Sequence, residues 1–119
     1  VEPDLLRPVL VRFNRTAAEV CEGQQWDMNF ETRAAVSEAE YLEMIRLKTA
    51  VLLGFALELG ALLGRAPAAD AFALRQIGQN IGLGFQLKDD YLDVYGQPDK
   101  FGKLVGGDIL ANKKTFLLI

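Results

Sequence analysis

Between Asp70 and Gly96 the residues Arg75, Gly78, Gly82, Gln86, Asp89 and Asp93 recur at three- and four-residue spacings. An α-helix gathers such positions into one narrow stripe, whereas a strand scatters them over both faces. Ile81, Phe85 and Leu92 flank the stripe on one side, Leu83, Leu87 and Val94 on the other, and Ile77 and Tyr95 lie behind it. A helix that is apolar nearly all round belongs inside a protein, so its polar stripe is predicted to face an internal cavity.

Two more segments carry the same period. The first is predicted to begin near Pro8, at a first helical turn, and to run to about Asp27 with Val9, Phe13, Ala17 and Val20 on its core face. Ser37 followed three residues later by Glu40 reads as a capping box, opening a helix with Tyr41, Ile45, Leu52, Ala56, Leu59 and Leu63 on one face and ending at Gly64. Asp70 is the expected cap of the third helix. Residues 96–112 read as a loop, and a further helix is expected from about Lys113. No stretch alternates apolar and polar residues long enough to form a sheet, so the fold class is all-α, with long antiparallel helices of a bundle.

Composition narrows the chemistry. The 119 residues allow one domain at most; half are apolar and 24% charged, which favours a packed chain over a disordered one. A net charge of -3 without a Lys/Arg cluster argues against nucleic acid as a partner. No His and a single Cys, Cys21, remove disulfides, structural zinc and histidine-based catalysis, leaving carboxylates and amines to act. The longest apolar run, Thr49 to Gly64, contains Glu58 and is too short to span a membrane, so a soluble, cytoplasmic chain is expected. The sequence starts at Val1 and stops on Phe116-Leu117-Leu118-Ile119, and both ends read as cut.

Asp89, Asp90 and Asp93 form Asp-Asp-x-x-Asp, with Asp89 and Asp93 one turn apart. Carboxylates this close repel one another and call for a cation. Magnesium suits them, because it takes oxygen ligands and commonly joins one or two carboxylates to phosphates. A solvated acidic face near a helix end is the plainer explanation; the apolar surroundings and the Gly82/Gln86 stripe weigh against it. Lys48 is the one charge on the face shared by Tyr41, Ile45, Leu52 and Leu59, and is either a snorkelling amine or one aimed at phosphate. Gln24 and Asp27 make the first helix polar as it ends, which an exposed terminus explains equally well. Taken together, three helices turning polar on their inward faces point to one shared cavity. A Gly-rich segment with Lys103, then Lys113 and Lys114, follows the aspartates without the order of a phosphate-binding P-loop.

The run Phe85-Gln86-Leu87-Lys88-Asp89-Asp90-Tyr91-Leu92-Asp93, followed by Gly102-Lys103, Gly106, Asp108 and Lys113-Lys114-Thr115, resembles the second aspartate-rich region of trans-isoprenyl diphosphate synthases, most nearly the farnesyl or geranyl short-chain type. Gly23-Gln24-x-x-Asp27 and Lys48-Thr49 match that family's pattern in the same order, and the resemblance covers nearly the whole chain. It implies that residues 1–119 are part of a single isoprenoid synthase domain. The implied reaction is prenyl transfer: an allylic diphosphate ionises, the double bond of isopentenyl diphosphate attacks the carbocation, and a proton is lost. It also implies that Mg2+ is held by Asp89 and Asp93, with Asp90 acting beside them or through water. Lys48, Lys103 and Lys113 would contact the allylic diphosphate, and Gln24, Thr49 and Gln86 would line the ionising carbon. A homodimer is the family expectation.

Leu104 stands where many relatives have proline, and Asn112 where many have glycine. The family's first aspartate-rich motif is absent from these residues, so this segment alone is expected to be inactive. A non-catalytic subunit of a heteromeric prenyl diphosphate synthase is the alternative. A terpene cyclase fits less well, because its second metal motif mixes Asn, Ser or Thr with Glu.

Overall fold

A computed structural model describes residues 1–97 and 105–119. Four principal helices build it: α1 (Pro3–Phe30), α2 (Glu38–Ile45), α3 (Val51–Leu63) and α4 (Ala68–Tyr95), followed by a single turn, α5 (Gly107–Leu110). Among the described residues there is no strand, and the all-α class expected from periodicity holds. At 1.5 Å per residue α1 and α4 are each roughly 42 Å long, and they account for most of the 48 Å long axis of the molecule.

The boundaries differ from the sequence reading for identifiable reasons. Helix α1 starts at Pro3 and carries Pro8 in its interior, where the missing N–H removes one helical hydrogen bond without ending the helix. It continues past Asp27 to Phe30. Ser37 caps α2 as expected: its hydroxyl accepts from Glu40 N at 3.2 Å while Glu40 accepts from Ser37 N at 2.9 Å. Arg33 holds the Glu40 carboxylate by hydrogen bonding, and with the Ser37 amide it lowers the pKa to about 2. Asp70 is not the cap of α4; Pro67 precedes it and Asp70 lies in its first turn. No helix starts at Lys113. The helical turn comes earlier, at α5, and Asn112 follows in the left-handed region with φ 55°, which stops it.

The largest departure lies between α2 and α3, where Arg46–Ala50 form a π-helical segment. The extra residue in such a turn rotates everything after it by roughly 100° relative to an uninterrupted α-helix. The expected face of Leu52, Ala56 and Leu63 is therefore exposed, and Val51, Gly54, Phe55, Glu58 and Ala61 are buried instead. In α1 the buried stripe is Thr16, Gly23, Asp27 and Phe30, while Phe13 and Ala17 are exposed.

Close approach selects these stripes. A Cβ at Gly23 would stand 2.7 Å from Lys48 Cα and 2.8 Å from the Leu47 carbonyl carbon, so α1 can rest directly on the π segment. Likewise Gly78 brings α4 onto the α3 backbone and Gly82 brings it onto the end of the π segment, with Ala50 Cα 2.6 Å from where a Gly82 Cβ would lie. The stripe of α4 does face inward, but not onto one cavity: Gly78 and Gly82 are closed by backbone, Arg75 lines a separate cavity, and only Gln86 and Asp89 line the polar one. The helix is not enveloped, however: Ile77, Ile81 and Phe85 are exposed, because no described element packs on that side. The main apolar cluster joins Phe30, Val36, Tyr41, Met44 and Ile45, with Trp26, Leu42, Leu83 and Leu87 against it.

Candidate active site

The cluster ends where its side chains turn polar. A cavity of about 270 Å³ opens there, lined by Tyr41, Lys48, Gln86, Asp89 and Asp90 together with Asp27, Asp108, Lys113 and Thr115. The three helices predicted to share a polar cavity do share it.

Asp27, almost fully buried, is its hub. Lys48 Nζ donates to Asp27 Oδ2 at 2.6 Å and Lys113 Nζ donates to the same oxygen at 3.2 Å. Lys113 also pairs with Glu31. Burial by itself would lower the Lys113 pKa, but the hydrogen bond that Lys113 donates to Glu31 and the negative charge of Asp27 outweigh it and raise the pKa above the ordinary lysine value. Both lysines are anchored at the cavity wall through Asp27.

Across the cavity the aspartates are differently fixed. Asp90, 2% exposed, accepts from the Tyr41 hydroxyl, from Gln86 Nε2 at 3.1 Å and from Phe116 N at 3.3 Å. Asp93, equally buried, accepts from Asp108 N at 3.1 Å and is not among the lining residues; it ties α5 to α4. Asp89 is half-buried and lines the cavity, with Gln86 Nε2 at 3.4 Å. Thr115 Oγ1 is buried near the wall and has no hydrogen-bond partner among the described residues.

Next to this polar cavity runs an apolar groove of about 350 Å³, lined by Lys48, Thr49, Leu52, Leu53, Ala56 and Phe85. Lys48 belongs to both, and Thr49 Oγ1 donates to Gln86 Oε1 at 3.0 Å across their junction. The same π turn that exposes Leu52 on the groove side brings Lys48 and Thr49 to that junction. Gln24 is exposed on α1 and lines neither space. Lys103 lies outside the described residues. Tyr41, Glu31 and Thr115 were not singled out from sequence; an isolated Tyr on an apolar helical face carries no sign that its hydroxyl will meet Asp90.

Among the described residues no group of three or more His, Cys, Asp or Glu side chains is arranged to hold a metal ion unaided. The donor set still suits Mg2+, which is commonly bound through one or two carboxylates with phosphate oxygens and water completing its shell. Asp89 offers such a carboxylate on the cavity wall. A larger cavity of about 510 Å³ lies toward the other end of the bundle, lined by Arg12, Arg15, Glu58 and Arg75 among others. Its charges largely meet one another, with Arg12 Nε 2.7 Å and Arg75 Nε 4.0 Å from the Glu58 carboxylate.

The chain belongs to the polyprenyl synthetase family, whose model matches residues 6–119. It is 47% identical over 106 residues to a geranylgeranyl diphosphate synthase of Methanosarcina mazei, covering 89% of this chain and 33% of that protein. To a short chain isoprenyl diphosphate synthase of Methanothermobacter thermautotrophicus it is 40% identical, covering 99% of this chain and 36% of the relative. Among solved structures, a geranylgeranyl pyrophosphate synthase matches with a TM-score of 0.94 at 52% identity, over 99% of this chain and 36% of that one. A Caulobacter crescentus polyprenyl synthase, solved with calcium and isoprenyl diphosphate, matches at 0.88 and 38% identity, over 93% of this chain and 34% of its own. The chain spans about a third of the length of these relatives.

Proposed function

We propose that this chain carries the diphosphate-ionising half of a prenyltransferase site, and that the whole protein condenses an allylic diphosphate with isopentenyl diphosphate. The observation that carries this reading is the junction at Lys48 and Thr49, where a cavity of lysines and aspartates adjoins an apolar groove. A prenyl diphosphate has that shape: a doubly phosphorylated head and a hydrocarbon tail.

Lys48 and Lys113 bind the head, and Lys103 joins them on the strength of its sequence motif. Their ammonium groups stabilise the charge that collects on the departing diphosphate as the carbon–oxygen bond breaks and the electron pair leaves with oxygen. Thr49 and Gln86 place oxygens beside the carbon that becomes cationic. Gln24, exposed on α1 and lining neither space, stays outside this set. Leu52, Leu53 and Phe85 keep water from the cation, which the isopentenyl double bond then attacks; loss of a proton to the leaving diphosphate completes the exchange. Asp89 would hold Mg2+; Asp93, buried against the Asp108 amide and off the cavity wall, keeps α5 in place beside it, and Asp90 would orient the set through Tyr41. The metal, when bound, supplies electrophilic stabilisation of the diphosphate oxygens. The expected homodimer and cytoplasmic location belong to the same proposal.

The test is chain elongation by the complete protein with isopentenyl diphosphate, farnesyl diphosphate and Mg2+. Asp89→Ala should lower turnover by about 10²–10³-fold with the fold intact, the scale set by loss of a preorganised charge-stabilising group. Wild-type protein that binds diphosphate without turning it over would favour a non-catalytic subunit.

A further inference from the structure

Lys113 depends on a residue that the site motifs do not include. Glu31 ends α1, so its carbonyl has no helical partner, and Asn112 Nδ2 donates to it at 2.7 Å. The Glu31 carboxylate meets the Lys113 ammonium. One residue thus grips two consecutive positions of the segment after α5, by its main chain and by its side chain. The backbone on the other side is fixed too, since Lys113 N donates to Asp108 O at 2.9 Å and Asn112 sits at φ 55°.

The charges explain why two carboxylates are present. Lys48 and Lys113 converge on the single oxygen Oδ2 of Asp27, and two ammonium groups sharing one carboxylate leave an excess positive charge. Glu31 brings that group of four to neutrality. Without it Lys113 keeps one shared partner and gains freedom to swing into solvent, and the cost of refixing it falls on ligand binding.

We propose that Glu31 is a positioning residue, which holds the Lys113 ammonium beside Lys48 at the cavity wall so that an anionic diphosphate meets both cations already in place. The proposal rests on the diphosphate reading given above. Glu31→Gln keeps the size of the side chain and removes its charge. In the complete protein it should raise KM for farnesyl diphosphate by about five- to tenfold while kcat stays within about twofold, the size expected for one long side chain that must be ordered on binding.

Two further measurements separate the explanations. If Glu31 acts through Lys113, the double variant Glu31→Gln/Lys113→Ala binds and turns over no worse than Lys113→Ala alone. Additive losses overturn the proposal, as does an unchanged or lower KM in Glu31→Gln, which would make Glu31 a competitor of the substrate. Binding of inorganic diphosphate with Mg2+ by the wild type is the control. If the wild type neither binds diphosphate nor elongates, the functional reading fails and this one with it; if it does both and Glu31→Gln matches it, the positioning role alone fails.

Discussion

The two ends of the bundle bury charge in different ways. Toward the N-terminus of α1, Glu58 is closed off by Arg12 and approached by Arg75, so acid and base satisfy each other. At the opposite end Asp90 and Asp93 are held by a tyrosine hydroxyl, an amide and main-chain N–H groups, and the cations lining the cavity beside Asp90 are lysines, two of them on Asp27. Arginine's planar fork suits a fixed pair with a carboxylate, whereas a lysine ammonium is a compact charge on a flexible stem that can change partner. Both ends pair their charges; at one the pairs are arginine–glutamate, and at the other the lysines meet Asp27 and Glu31 on the wall of a cavity, where a ligand can take their place.

The sharpest way to break this contrast is to remove one cation from each end of the complete protein. Lys48→Ala should cut elongation by about 10²-fold with little change in melting temperature. Arg12→Ala should do the reverse. It leaves buried Glu58 short of its near partner, and because Arg12 is half exposed the cost should fall below the roughly 3–5 kcal/mol of a fully buried pair, with elongation kept. Urea denaturation beside a turnover assay reads both, and equal effects on the two quantities at both sites would erase the distinction.

A smaller effect is expected where α5 meets α1. Asn112 occupies a left-handed position that glycine and asparagine tolerate. Asn112→Ala should destabilise this segment by about 1 kcal/mol, seen as faster amide exchange at 107–113. Asn112→Gly should recover the backbone conformation but not the hydrogen bond to Glu31. Exchange rates alike in both variants would show that the hydrogen bond and not the backbone conformation governs the segment.

The smallest concerns Glu40. Its folded pKa of about 2 lies below the ordinary 4.5, so the capping box contributes its stability above about 4.5 and loses it as pH falls through 2. Amide exchange at the start of α2 should accelerate over that window and be flat above it. In Glu40→Gln the dependence should vanish.

Much of this was legible before any coordinates, and the remainder fails for a common reason. The Ser37 capping box, the inward stripe of Gly78, Gly82 and Gln86 and the gathering of Lys48 with Asp89 all follow from spacing, because helical period fixes which side chains are neighbours. The π segment does not. Arg46-Leu47-Lys48-Thr49-Ala50 contains no proline or glycine to announce a break, and the determinant lies on another helix, where Gly23 lets α1 press on the Lys48 backbone. Missing that turn shifted the buried face of α3 by one residue, from Leu52 and Ala56 to Val51 and Phe55. Asp90 is likewise off the stripe that period picks out. Its burial comes from Tyr41 on α2 and Phe116 near the end of the chain, contacts that no local pattern encodes. Asn112 in place of the commoner glycine is explained by its φ, which needs the coordinates to be known.

The central claim is that this cavity takes a diphosphate together with Mg2+ through Asp89. Titration calorimetry of inorganic diphosphate into the complete protein, with and without Mg2+ and in wild type and Asp89→Ala, tests it directly. The expected result is binding at least about tenfold tighter with the metal, an advantage lost in the variant. Equal affinity in all four titrations would contradict it.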